Sequence, residues 1–178
     1  VAKTIGMILI IAGTNRKNSK TLQTAKFYFR VLQERGLGAD LISLADLPHD
    51  FVFSALYENQ GKNEAFNEFS QKVKAASKYV IICPEYNGSF PGVLKAFLDG
   101  LDFPSFMKNK PVLLASISSG TMGGALALSH LTDILHYLGA LVLPVKLRIP
   151  EFHKNFNSDE GILNPSLQKV FEEQIASL

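Results

Sequence analysis

The apolar residues of this chain fall into short blocks that alternate between two spacings. Ile5–Ala12 is a near-continuous apolar run closed by a glycine, the pattern of a strand buried on both faces. Leu22, Ala25, Phe29 and Leu32 then recur at steps of three and four, and Gly36 stands where a helix C-terminus favours glycine. Ala39–Leu44 reads as a second strand, followed by a loop from Ala45 to Lys62 that contains Pro48 and Gly61. Phe66, Phe69, Val73 and Ala76 restore helical spacing, and Tyr79–Cys83 is a third strand rich in β-branched residues. Pro91–Gly92 opens a helix carrying Leu94, Phe97, Leu98 and Leu101. Pro111–Ile117 is a fourth strand, Gly123–Leu138 a helix stopped by Gly139, and Leu141–Val145 a fifth strand. A polar stretch, Glu151–Pro165, leads to a last helix with Leu167, Val170, Phe171 and Ile175 facing inward.

Five strands, each followed by a helix or a helical return, predict an α/β fold with a parallel sheet covered on both faces. No linker, repeat or low-complexity segment interrupts the pattern, so residues 1–178 read as a single domain. Ligands of such sheets bind beyond the carboxyl ends of the strands, near the point where the strand order reverses. The loops after strands one, three and four are therefore the places to look.

Composition narrows the partners. The 178 residues are 47% apolar and 19% charged, with a formal net charge of +2. That balance suits a soluble globule, and it is too weak to imply a nucleic acid while remaining compatible with a small phosphorylated ligand. The single cysteine, Cys83, excludes an intramolecular disulfide and a cysteine-based zinc cluster, so a reducing, cytoplasmic setting is expected. Lys3 followed by Ile5–Ala12 faintly imitates a signal peptide, but it lacks an A-x-A-type cleavage site, and a buried strand is the expectation. No stretch approaches the roughly 18 apolar residues of a membrane span.

The loop after strand one runs Gly13-Thr14-Asn15-Arg16-Lys17-Asn18-Ser19-Lys20-Thr21 into a helix. A helix N-terminus offers unpaired N–H groups and the positive end of a dipole, so it receives phosphate readily. Thr14, Ser19 and Thr21 add hydroxyls, and Arg16 adds a guanidinium fork suited to phosphate oxygens. A capped, solvated loop needs one hydroxyl and leaves the arginine unexplained; an anion cradle uses them all. Neither standard nucleotide loop fits. Asn18 and Ser19 stand at the second glycine and lysine of a Walker A motif, and Asn15 and Asn18 at two glycines of the dinucleotide fingerprint.

After strand three come Pro84-Glu85-Tyr86-Asn87-Gly88-Ser89-Phe90-Pro91-Gly92-Val93-Leu94-Lys95. By residue type this turn fits equally well a polar turn capped into the next helix and the edge of a planar heteroaromatic ligand. Its pattern, however, resembles the P-E-Y-N-x-S-x-P-G-x-L-K motif of the NAD(P)H-dependent FMN reductase family. The first loop resembles that family's G-S-x-R-x-x-S motif, with Thr14 in place of serine. Ser118-Ser119-Gly120-Thr121-Met122-Gly123-Gly124 is similar to its glycine-rich loop after strand four. The three motifs fall in the family's order, and the resemblance spans essentially the whole domain.

The resemblance implies a flavodoxin-like three-layer sandwich with sheet order 2-1-3-4-5. It implies bound FMN, with Thr14, Arg16, Ser19 and Thr21 at the phosphate. Pro84, Glu85, Tyr86, Asn87 and Gly88 would lie along the isoalloxazine, and Ser118 and Gly120 at its other edge, with Ser89 shaping the second loop. The implied reaction is hydride transfer from NADPH or NADH, by a ping-pong exchange, to a quinone, azo, metal-oxyanion or flavin acceptor. No side chain has to act as nucleophile or general acid, and a homodimer or tetramer is implied. The alternatives are a non-enzymatic flavodoxin-like carrier and a flavin-based redox sensor. The chain departs from the family's N-A-x-D-W continuation at Ala96, Phe97 and Gly100 while keeping Asp99.

Other polar residues carry less. Lys17 and Lys20 lean towards NADPH, although surface lysines are commonly just solvated. Cys83 reads as a small buried apolar residue. His130, Asp133 and His136 share a helix without a fourth ligand, and no G-x-S-x-G elbow exists. Phe51, Phe53 and Tyr57 are open between pocket wall, subunit contact and satellite core.

Overall fold

A computed structural model describes residues 6–178. The predicted first strand began at Ile5, which with Lys3 lies outside the described residues. The strand as described is β1, Ile8–Ala12. It is followed by α1 (Lys20–Glu34), β2 (Ala39–Ser43), α2 (Phe51–Ser54), α3 (Glu64–Ala75), β3 (Lys78–Pro84), α4 (Gly92–Gly100) and β4 (Pro111–Ile117). The second half adds α5 (Ala125–Tyr137), β5 (Leu141–Val142), β6 (Leu147–Ile149), α6 (Phe152–Asn155), β7 (Phe156–Asn157), β8 (Gly161–Ile162) and α7 (Pro165–Ala176).

The strands pair in the order β2-β1-β3-β4-β5, all parallel, which is the flavodoxin-like order implied by the resemblance. Their near-continuous apolar character follows from burial on both faces. In β1, Ile8, Ile10 and Ala12 join the core beneath α1 and α7, whereas Leu9 and Ile11 join the core beneath α3, α4 and α5. β3 and β4 divide in the same way, with Val80, Ile82, Leu113 and Ala115 on the first side and Tyr79, Ile81, Val112 and Leu114 on the second.

The predicted fifth strand, Leu141–Val145, is interrupted. β5 pairs with Pro111 and Val112, and β6 resumes beside Ala115–Ile117. Between the pairs Val142–Val112 and Leu147–Ala115 this strand advances five residues while β4 advances three, so the ladder breaks and the segment that holds Pro144 bulges out of it. The buried carboxamide of Gln174 on α7 spans the break, donating to the carbonyls of Leu114 (2.8 Å) and Val145 (3.1 Å) and accepting from Tyr28 Oη (2.6 Å).

The expected loop from Ala45 to Lys62 holds α2 between two single turns of 3-10 helix, Leu44–Asp46 and Tyr57–Asn59. Its aromatics divide. Phe51 is buried and stacks on Phe66 with ring centroids 5.6 Å apart, whereas Phe53 and Tyr57 are exposed. At Gly100, where the family motif has tryptophan, an added Cβ would lie 2.6 Å from Phe66 Cζ. The Phe66 ring fills that space. The polar stretch 151–165 contains α6 and the β7–β8 hairpin, whose Phe152, Phe156 and Ile162 enter the core beside Phe27.

Candidate functional site

The carboxyl ends of β1, β3 and β4 lie side by side, with Ala12 opposite Ile82 and Pro84 opposite Ile117. From β1 the chain leaves towards β2 on one side, and from β3 towards β4 on the other. A cleft opens where these directions part.

The first loop starts tightly. The Gly13 amide donates to Ile82 O (2.8 Å), and a Cβ at Gly13 would sit 3.0 Å from both Ile82 O and Leu94 Cδ2. Glycine lets the backbone turn against β3. Asn18 adopts a φ of 51°, which asparagine tolerates, and Ser19 then caps α1 by accepting the Leu22 amide at 3.1 Å. The amides of Lys20 and Thr21, which precede any intrahelical acceptor, open the helix end, and no acidic residue occupies its first turn. Thr21 is 1% exposed. Thr14 is also 1% exposed, and its hydroxyl faces the second loop: it lies 2.8 Å from Tyr86 Oη and accepts the Arg16 amide at 3.3 Å.

The second loop is a two-residue hairpin. Tyr86 and Ser89 exchange both backbone hydrogen bonds (2.7 and 3.0 Å) around Asn87 (φ 51°) and Gly88 (φ 72°). Two successive positive φ values make a type I′ turn, and Asn-Gly is its preferred pair. Ser89 Oγ lies 3.0 Å from His130 Nδ1 on α5, which ties the base of the hairpin to that helix.

The loop after β4 is pinned to the far wall. Ser118 Oγ donates to Gly120 O (2.9 Å), and the amides of Glu151 and Phe152 donate to Gly120 O and Ser118 O (both 3.0 Å). Gly123 and Gly124 have packing reasons for lacking side chains. A Cβ at Gly124 would lie 2.8 Å from Ser116 Oγ, and the buried Ser116 hydroxyl donates to Gly123 O.

Together these loops enclose a cleft of about 430 Å3, within the roughly 300–1,000 Å3 typical of small-molecule sites. Of the residues expected from the sequence, Arg16, Ser19, Thr21, Pro84, Glu85, Tyr86 and Ser118 line it. Thr14 lies behind the wall, Asn87 and Gly88 form the hairpin tip, and Gly120 is exposed. Lys17, Lys20, Phe152 and His153 also line the cleft, the last two without having been expected. Lys20 Nζ stands 5.8 Å over the Phe152 ring.

The charges favour an anion. Arg16, Lys17 and Lys20 face one carboxylate, Glu85, and none of the three cations forms an ion pair among the described residues. Cys83 ends in the core beneath, where burial pushes its thiol up to about 12, so it presents no thiolate near neutral pH. The donor set suits FMN: cations and helix amides at one end for a phosphate, backbone and an aromatic ring at the other for a flat heterocycle.

Comparison with known proteins agrees. The model of the family described as NADPH-dependent FMN reductase matches residues 7–154. The chain is 31% identical to a quinone reductase of Escherichia coli (strain K12) over 141 residues, covering 76% of this chain and 72% of that one. It is 31% identical over 177 residues to an FMN-dependent NADPH-azoreductase of Staphylococcus haemolyticus, covering 95% and 93%. The solved structure of FerB, a flavoenzyme NAD(P)H:(acceptor) oxidoreductase from Paracoccus denitrificans, superposes with a TM-score of 0.78 at 22% identity, covering 97% of this chain and 94% of that one. At that identity it speaks for the fold.

Proposed function

The chain belongs to the NADPH-dependent FMN reductase family, and from that premise we propose that the cleft at the ends of β1, β3 and β4 is its flavin site. The protein is an oxidoreductase that uses FMN as cofactor and NAD(P)H as reductant. When bound, FMN supplies the two-electron chemistry between the nicotinamide and a second substrate. The residues bind and orient. Arg16, Ser19 and the amides of Lys20 and Thr21 hold the phosphate, with Thr21 beneath them and Thr14 fixing the loop. Pro84, Glu85 and Tyr86 run along the ring, the hairpin tip Asn87–Gly88 closes one rim, and Ser118 and Gly120 close the other.

The observation that carries this reading is the pairing of an unneutralised cationic helix start with a type I′ hairpin across one cleft. The acceptor is a small oxidant of the quinone, azo, metal-oxyanion or flavin class, and it alternates with the nicotinamide in one place. NADPH is preferred over NADH through Lys17 and Lys20. Steady-state rates at varied NADPH and quinone test the order: parallel double-reciprocal lines support alternation, and intersecting lines contradict it. The working form is a homodimer or tetramer in the cytoplasm, and sedimentation of a lone monomer at micromolar concentration contradicts the assembly. No helix among the described residues is long and apolar enough to cross a membrane.

A further inference from the structure

Two hydroxyls 72 positions apart meet at the back of the cleft, where Thr14 Oγ1 and Tyr86 Oη are separated by 2.8 Å. The threonine was expected to face a phosphate; instead it is 1% exposed and bonded on two sides. It accepts the Arg16 amide, so the donor it receives fixes the backbone of the residue that supplies the cleft's guanidinium. The same oxygen shares a hydrogen bond with the phenol, in which either hydroxyl can donate, and no buried side-chain polar atom among the described residues lacks a partner. Hydrogen bonds thus link the Arg16 amide, Thr14 and Tyr86, the first residue of the ring-side hairpin.

The chain on either side of the hairpin is fixed by the Glu85 amide, which donates to Ile117 O at 3.2 Å, and by Phe90, which packs on the core. Within itself the hairpin is held by the Tyr86–Ser89 backbone pair, and outside it by Ser89 on His130. Each end of the hairpin itself adds one side-chain hydrogen bond: Ser89 to α5 and Tyr86 to the phosphate-side loop. The His130 contact survives either protonation state of the imidazole, because a serine hydroxyl both donates and accepts. The Thr14 contact is the one that joins the two halves of the cleft.

We propose that Thr14 and Tyr86 are positioning residues that couple the phosphate end of the cleft to its ring end, so that a phosphate held at Arg16 sets the hairpin against the isoalloxazine. The inference rests on the FMN reading of the cleft. It makes the preference for FMN over riboflavin depend on a hydroxyl pair behind the phosphate donors.

The test is a double-mutant cycle of Thr14→Val and Tyr86→Phe, read by fluorescence titration with FMN and with riboflavin, which lacks the phosphate. Each single variant lowers FMN affinity about 3- to 10-fold, the scale of one lost hydrogen bond. The double variant loses no more than the worse single variant, and riboflavin affinity changes less than FMN affinity throughout. Thr14→Ser, which keeps the hydroxyl, restores the wild-type preference and covers the case in which valine fails to fold. Losses that multiply in the double variant, or that are equal for the two flavins, overturn the coupling while leaving the FMN site standing. A wild-type protein that takes up neither flavin overturns the site assignment itself.

Discussion

Arg16→Ala separates binding from folding. The residue is exposed on the cleft wall and makes no ion pair among the described residues, so its truncation leaves no buried partner unsatisfied. Surface changes of that kind stay within about 0.5 kcal/mol, which for a chain of this size moves Tm by about 2 °C or less. Binding should respond on another scale. A hydrogen bond to a charged group contributes about 1.5–3 kcal/mol, so removing the guanidinium lowers FMN affinity roughly 10- to 150-fold. Riboflavin, without a phosphate, should lose less than about threefold by the same reasoning. The assay is quenching of flavin fluorescence on titration at fixed ionic strength, with a melting curve run in parallel, since salt screens an exposed cation. Unchanged FMN affinity would refute the assignment of Arg16 to the phosphate. Equal losses for both flavins would refute it as well, because the arginine would then act on the ring or on the fold.

Three further outcomes test the framework around the cleft. Gln174→Ala removes the carboxamide that serves Tyr28, Leu114 and Val145, and urea unfolding should show a loss of about 3 kcal/mol from the stranded buried groups; a loss under about 0.5 kcal/mol means the strand break does not depend on it. Gly100→Ala drives a Cβ to 2.6 Å from the stacked Phe66 ring, so overpacking should lower stability by about 1–3 kcal/mol; a neutral result means that ring is free to move. Cys83 should resist a disulfide reagent at pH 8 until the protein unfolds, because burial raises the thiol from 9.0 to about 12. The same shift gives a pH dependence: above pH 9 the unfolded chain loses this proton while the fold retains it, so stability declines between pH 9 and 12. The buried Tyr28 hydroxyl, also raised by burial, adds to that decline, and a flat alkaline profile would contradict both.

The parts of the molecule legible in the sequence are those whose physics is local. Strands β1, β3 and β4 are buried on both faces, so their apolar runs are unbroken and their ends were placed within a residue or two, apart from the start of β1, expected at Ile5 and found at Ile8. Arg16 and Ser19 declare themselves because a strand, a polar turn and a helix start follow one another directly. Less was legible where long-range contacts decide. The split of β5 from β6 falls at Pro144, a signal present in the chain, but its stabilisation by Gln174 depends on α7 crossing back over β4. Phe152 and His153 reach the cleft because the Glu151 and Phe152 amides bond to Gly120 and Ser118 and Phe152 packs on Phe156, and nothing local in the polar stretch marks them. Thr14 shows the opposite case, a residue whose motif position suggested one partner while the fold supplied Tyr86. Phe66 occupying the room beside Gly100 could not be inferred from α4 alone, since the ring comes from α3.

The central claim is that this cleft holds FMN for reduction by a nicotinamide nucleotide. The direct measurement is the visible spectrum of purified protein supplemented with FMN, desalted, and then mixed anaerobically with NADPH or NADH. A flavin band that stays with the protein and bleaches rapidly on nucleotide addition is the expected result. A retained band that neither nucleotide bleaches, or saturating FMN that never binds in titration, would contradict the account.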